Sequence, residues 1–109
     1  MNDPIEATEL ERVADWRIRK LGENPADRES EAAAKLLQKL ADDVRRLHGS
    51  PIYVEYLAIL NWLGEFDVTE DFAARAHDYR TRIGVENFPQ DGEDYLRVLV
   101  ALAKDTAGV

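Results

Sequence analysis

The sequence contains no cysteine and only two histidines in 109 residues. The lack of cysteine excludes disulfide bonds, thiolate metal sites and cysteine nucleophiles. No apolar run approaches the roughly 20 residues that a membrane-spanning helix needs. The first residues also lack the basic and apolar segments of a signal peptide. We therefore expect a single domain over residues 1–109 that is cytoplasmic and does not enter a membrane.

Motifs for catalysis and metal binding are also missing. No G-x-S-x-G, Walker A or G-x-G-x-x-G pattern occurs. The residues three positions before His48 and His77 are Arg45 and Ala74, so the Glu-x-x-His pairs of a di-iron bundle are absent. We expect a non-enzymatic protein without cofactor or metal. One alternative stays open, because His77 and Asp78 form the His-Asp dipeptide typical of metal-dependent phosphohydrolases; a helical wheel places the two side chains on different faces.

Charge is unevenly distributed along the acidic chain. Residues 1–50 carry 9 basic and 11 acidic side chains, whereas residues 51–109 carry 5 and 11, which gives the second half −6 of the total −8. The segments "WRIRK" and "YRTR" combine basic and aromatic residues, as nucleic-acid-binding segments do. Nearby acids balance both segments, and the overall charge repels phosphate backbones and anionic membranes. We expect no nucleic-acid partner, although the chain could act as an acidic antagonist of a nucleic-acid-binding protein.

Glycine, proline and capping residues divide the chain into five predicted helices. Asn24 before Pro25 and Ser50 before Pro51 are typical helix starts. No stretch alternates polar and apolar residues for long enough to predict a strand. The sequence therefore predicts an all-α, single-domain bundle of about five helices. Their approximate ranges are 8–21, 25–48, 51–64, 69–84 and 91–106.

The third predicted helix is the most apolar part of the chain, "SPIYVEYLAILNWLGEF" at residues 50–66. Its apolar side chains cover more than half of a helical wheel, and only Asn61 and Glu65 mark a narrow polar strip. An arc that wide exceeds the stripe of an ordinary surface helix. We therefore expect this helix to be central, with neighbours on several sides.

Glu55 lies outside that polar strip, beside apolar residues. A buried carboxylate without a partner costs several kcal/mol, so we expect an arginine next to it. Arg17 falls in the apolar stripe of the first helix, and Arg80 falls at the edge of the stripe of the fourth. Three aromatic residues are candidates for shielding the pair: Trp16, Trp62 and Tyr79. The pair would be a structural salt bridge or a binding pocket for an anion or a partner's charged side chain, unless Glu55 simply reaches solvent.

An internal echo relates the two arginines. Residues 12–22, "RVADWRIRKLG", share an arginine, an aspartate, an aromatic residue and an Arg-x-Arg pair with residues 75–85, "RAHDYRTRIGV". Arg17 and Arg80 are equivalent positions in this echo. The similarity predicts a helix-loop-helix duplication, 12–48 and 75–106, on either side of the third helix; chance similarity between two charged helices is the alternative.

The second half of the chain resembles a known family. The segment "LAILNWLGEFD", residues 57–67, and the later "DYLRVLVALA", residues 94–103, are similar to a helix end and a D-Y-L segment in a family of small proteobacterial helical proteins of unknown function. The resemblance covers about the C-terminal half. It implies no activity, cofactor or site residue.

Surplus apolar residues lead to the functional hypothesis. Trp16 lies off the stripe of the first helix, and Leu96 and Val100 lie off the main stripe of the last. Such side chains are either additional core or an interface. We expect a small helical protein-interaction module whose partner is another protein or a second copy of itself, and a homodimer is the commonest form of self-association. The alternative is a small ligand sensor or enzyme that uses the Glu55–arginine pocket or His77–Asp78.

Overall fold

The computed structural model describes residues 4–82 and 85–108. Five α-helices contain most of these residues, no strand occurs among them, and the predicted all-α fold is confirmed. The helices are α1 (Ile5–Glu23), α2 (Arg28–Arg46), α3 (Pro51–Gly64), α4 (Thr69–Arg82) and α5 (Gly92–Thr106), with a 3₁₀ turn at Val85–Asn87 before α5. The predicted end of the fourth helix near Gly84 lies outside the described residues.

Side-chain oxygens cap the starts of three helices. Ser50 accepts a hydrogen bond from the backbone N–H of Tyr53 at 3.4 Å, as the sequence predicts. The predicted start of α2 at Asn24 is wrong. Asp27 is the cap, because its carboxylate accepts from both the backbone N–H and the hydroxyl of Ser30. Asn24 instead ends α1, where its N–H donates to the carbonyl of Lys20.

The packing places α5 in the middle of the bundle. α1 and α2 lie along each other, while α5 contacts α2, α3 and α4. Leu96 and Val100 are therefore core residues rather than interface residues. The largest fully buried apolar side chains come from four of the helices: Leu10, Leu40, Val44, Tyr56, Leu63, Tyr95, Leu96 and Leu99.

The prediction that α3 is the central helix is wrong. Only Tyr53, Tyr56 and Leu63 of α3 are buried, and the helix packs mainly against α5 with a smaller contact to α4. Much of its apolar surface faces outward. The wide apolar arc of α3 therefore covers two faces of the helix. One face packs into the core, and no helix of the described chain covers the other.

A close approach joins α2 to the start of α5. The backbone N–H of Gly92 donates to Asp43 Oδ2 at 3.1 Å, and a Cβ built on Gly92 would lie 2.5 Å from the Cβ of Asp43. Burial alone would raise the pKa of Asp43, but hydrogen bonds from Gly92, Lys39 and Arg46 lower it below its usual value. The glycine is needed here for space, and the aspartate fixes the position of α5 on α2.

Candidate functional site

A buried ion pair joins Glu6 to Arg80. Nη1 of Arg80 lies 3.0 Å from Glu6 Oε2, and both side chains are almost fully buried. Two buried tyrosines complete the cluster: the hydroxyl of Tyr56 donates to the other oxygen of Glu6, and Arg80 donates to the hydroxyl of Tyr95 at 3.1 Å. Because the four residues come from α1, α3, α4 and α5, one hydrogen-bonded cluster connects four helices.

The surroundings of this cluster keep the two tyrosines neutral. Burial, together with the nearby charge of Glu6, raises the pKa of both Tyr56 and Tyr95 far above the usual value. Burial opposes the charge on Arg80, but interactions with Tyr95, Glu6 and Glu9 raise the pKa of its guanidinium. The tyrosines therefore remain hydrogen-bond donors and acceptors.

The predicted partnership of Glu55 with an arginine is wrong. The Glu55 side chain is 51% exposed, and its nearest cation is Nζ of Lys104 at 3.6 Å. Arg80 is buried as expected, but with Glu6, and tyrosines rather than tryptophans surround it. Because the first helix is predicted to begin at about residue 8, Glu6 falls outside its predicted range. A helix that begins at Ile5 places Glu6 one turn before Leu10, on the buried stripe.

Arg17 connects three helices without forming an ion pair within 4 Å among the described residues. Its guanidinium donates to Ser30 Oγ at 3.4 Å and to the carbonyl of Thr81 at 3.1 Å. Its Nε is buried and makes no hydrogen bond with the described residues. The predicted site residues are therefore dispersed: Arg80 lies in the core, Glu55 and Trp62 lie at one surface groove, and Trp16 lies at another.

The outer face of α3 is an apolar surface that no other described helix covers. We define it as the exposed residues Val54, Leu57, Ala58, Asn61 and Trp62, followed by Phe66 just beyond the helix end. Phe66 is 57% exposed and packs beside Trp62, with ring centroids 4.9 Å apart. Single exposed apolar residues are ordinary, whereas a contiguous group on one helix marks a candidate binding surface.

A groove of about 320 Å³ runs beside this face, between α3 and α5. Trp62 and Ile59 form its wall on α3, and Ala107 follows the end of α5 on the other side. The ion pair of Glu55 with Lys104 also lines the groove, so the positive and negative charges there compensate each other. The arrangement can accept an apolar side chain between Trp62, Ile59 and Ala107.

The described residues contain no cluster of metal-binding side chains. No group of three or more histidine, aspartate or glutamate side chains among them could hold a metal ion. His77 and Asp78 are both exposed, and Asp78 forms an ion pair with Arg82 at 2.5 Å. The His-Asp hypothesis gains no support from this arrangement.

No helix within the described ranges is long and apolar enough to cross a membrane. Comparisons with family models, curated proteins and solved structures found no match to this chain. The resemblance to a proteobacterial family, the predicted duplication and the cytoplasmic location therefore remain predictions. The candidate site is the outer face of α3 with its groove.

Proposed function

We propose that this protein is a non-enzymatic interaction module that self-associates about a two-fold axis through the outer face of α3. The observation that supports this proposal is that α3 keeps Val54, Leu57 and Trp62 exposed, although it is the most apolar of the described helices. Phe66, just beyond the end of α3, is exposed as well. Only one residue of α3, Glu55, is charged. An apolar surface depleted of charge is typical of the centre of a protein interface.

Self-complementarity favours a second copy as the occupant. A two-fold interface requires the same surface to present both the projecting and the receiving parts. Here Phe66 projects at one end, and the groove between α3 and α5 lies beside it. A partner related by two-fold symmetry would insert its own Phe66 into this groove. The groove of the partner would in turn receive Phe66 of the first copy.

Trp62 is the expected energetic centre of the contact. Tryptophan is enriched among the few interface residues that supply most of the binding energy. Trp62 lies both on the outer face of α3 and in the wall of the groove. Its removal should therefore weaken association more than the removal of any other side chain of this face.

The expected affinity is modest and increases with salt. α3 has 14 residues and is about 21 Å long, so it supplies only part of the about 800 Å² per partner that stable complexes bury. Each copy carries a charge of −8, and the resulting repulsion is screened by salt. We expect a micromolar dissociation constant that falls as salt concentration rises.

Sedimentation equilibrium over a concentration series tests the proposal. The wild type should convert from monomer to dimer, and Trp62→Ser should remain monomeric over the same range. Trp16→Ser is the matched control, since Trp16 on α1 is 36% exposed against 40% for Trp62, and this variant should dimerise like the wild type. Circular dichroism confirms that each variant is folded. A wild-type protein that is monomeric at every concentration and salt level would refute the proposal.

A further inference from the structure

The two basic and aromatic segments of the sequence meet at one groove between α1 and α4. The groove has a volume of about 550 Å³. It is lined by three arginines, one histidine and three further residues: Arg12, Arg19, Arg82, His77, Val13, Trp16 and Thr81. No residue of this cationic groove belongs to the outer face of α3, so the site is independent of the proposed self-association.

The charges at the groove differ in sign from those of the whole protein. Arg12 pairs with Glu9 at 3.0 Å and Arg82 pairs with Asp78. Both arginines are exposed, as is Asp78, whereas Glu9 is partly buried. Arg19 has no carboxylate partner among the described residues, and it lines the groove. Exposed ion pairs are weak because water and salt screen them. An incoming anion can therefore replace the carboxylates of Glu9 and Asp78 at the paired arginines, and it can also contact the guanidinium of Arg19.

An apolar wall lies beside these cations. Val13 is buried and Trp16 is partly exposed, and both line the groove. Two further cations lie over the indole ring: the guanidinium carbon of Arg17 at 5.1 Å and Nζ of Lys20 at 5.6 Å from its centroid. The groove therefore combines an aromatic surface with positive charge, in a protein of net charge −8.

We propose that the cationic groove binds a small organic anion, namely an aromatic or apolar ring that carries a carboxylate or phosphate group. The ring lies against Trp16 and Val13, and the anionic group contacts Arg19 with Arg12 or Arg82. The volume lies within the range of about 300–1,000 Å³ that is typical of small-molecule sites. A small anion is favoured over a nucleic acid because the acidic surface beyond the groove would repel a long polyanion.

Nuclear magnetic resonance of ¹⁵N-labelled protein provides the test, since the chain has only two indole N–H groups. The probes are phenyl phosphate, benzoate, inorganic phosphate and benzyl alcohol, which separate the ring from the anionic group. Phenyl phosphate or benzoate should shift the Trp16 signal and leave the Trp62 signal in place. Binding should be at least about tenfold tighter than for inorganic phosphate or benzyl alcohol. Whichever of the two ring-bearing anions binds more tightly identifies the preferred anionic group.

Two variants complete the experiment. Arg19→Gln should weaken binding about fivefold, the largest effect usual for one exposed charge, whereas Arg97→Gln on α5 should leave the affinity unchanged. Higher salt should also weaken binding. A Trp16 signal that does not move at millimolar probe, a neutral ring that binds as well as the anions, or an Arg19→Gln variant with wild-type affinity would overturn the proposal.

Discussion

Arg80 and Glu6 illustrate how strongly one buried charge affects the stability of the folded protein. Removing one partner of a buried pair leaves the other charge without compensation, which typically costs about 3–5 kcal/mol. Tyr56 and Tyr95 also lose part of their hydrogen bonding when Glu6 changes. The cluster therefore matters more to stability than its two charges suggest.

We predict that Glu6→Gln lowers the free energy of unfolding by about 3 kcal/mol. Glu55→Gln is the matched control, because the same chemical change occurs at a side chain that is half exposed, and its effect should remain within about 0.5 kcal/mol. Denaturant unfolding of the two variants measures the difference. A larger loss for Glu55→Gln than for Glu6→Gln would contradict the assigned positions.

The sequence could predict a buried arginine but not its partner. Arg80 stands at the edge of an apolar stripe, which is a local signal that any helical wheel shows. Glu6 lies 74 positions away from Arg80 in the sequence, before the predicted start of the first helix, and no local pattern connects the two. A helical wheel predicts a buried Glu55 because its neighbours on the wheel are apolar. A wheel cannot distinguish an apolar face that packs in the core from one that remains exposed.

At the scale of the helices, the same ambiguity affected α3 and α5. Both have apolar arcs wider than an ordinary stripe, and α3 has the wider arc. The arc of α5 is covered because α2, α3 and α4 contact it, whereas α3 has neighbours mainly on one side. The existence of all five helices and the start of α3 at Ser50 were predictable from capping residues and periodicity. The arrangement of the helices was not, since it depends on contacts between distant segments.

The contact of α2 with α5 gives a prediction at this scale. Gly92→Ala should lower the free energy of unfolding by about 1–3 kcal/mol, the usual cost of overpacking, because its Cβ would lie 2.5 Å from the Cβ of Asp43. Gly22→Ala near the end of α1 is the control, since nothing lies within 4 Å of the added Cβ. It should raise stability by up to about 1 kcal/mol. Thermal and denaturant unfolding measure both, and an equal response of the two variants would refute the close approach.

At the scale of the whole molecule, burial affects the ionisation of all four tyrosines. Burial raises the pKa of Tyr53, Tyr56, Tyr79 and Tyr95. A group with a raised pKa in the folded state stabilises that state below its unfolded pKa, which is about 10 for tyrosine. This stabilisation is lost as the pH rises above that value, because the unfolded chain then releases its protons more readily.

We therefore predict that tyrosinate forms together with unfolding. On raising the pH above about 10, the near-ultraviolet absorbance of tyrosinate should rise as the helical circular dichroism disappears. The denatured protein is the control and should titrate near the ordinary value. Tyrosinate formation near pH 10 with an intact helical signal would show that the tyrosines are accessible in the folded state.

Disulfide cross-linking tests most directly the proposed self-association through the outer face of α3. Because the chain has no cysteine, Ala58→Cys, Asn61→Cys and, on the exposed side of α2, Gln38→Cys each introduce a single thiol. Under mild oxidation, Ala58→Cys or Asn61→Cys should give a disulfide-linked dimer rapidly, and Gln38→Cys should remain mostly monomeric. Equal cross-linking of all three variants, or none on α3, would contradict self-association through this face.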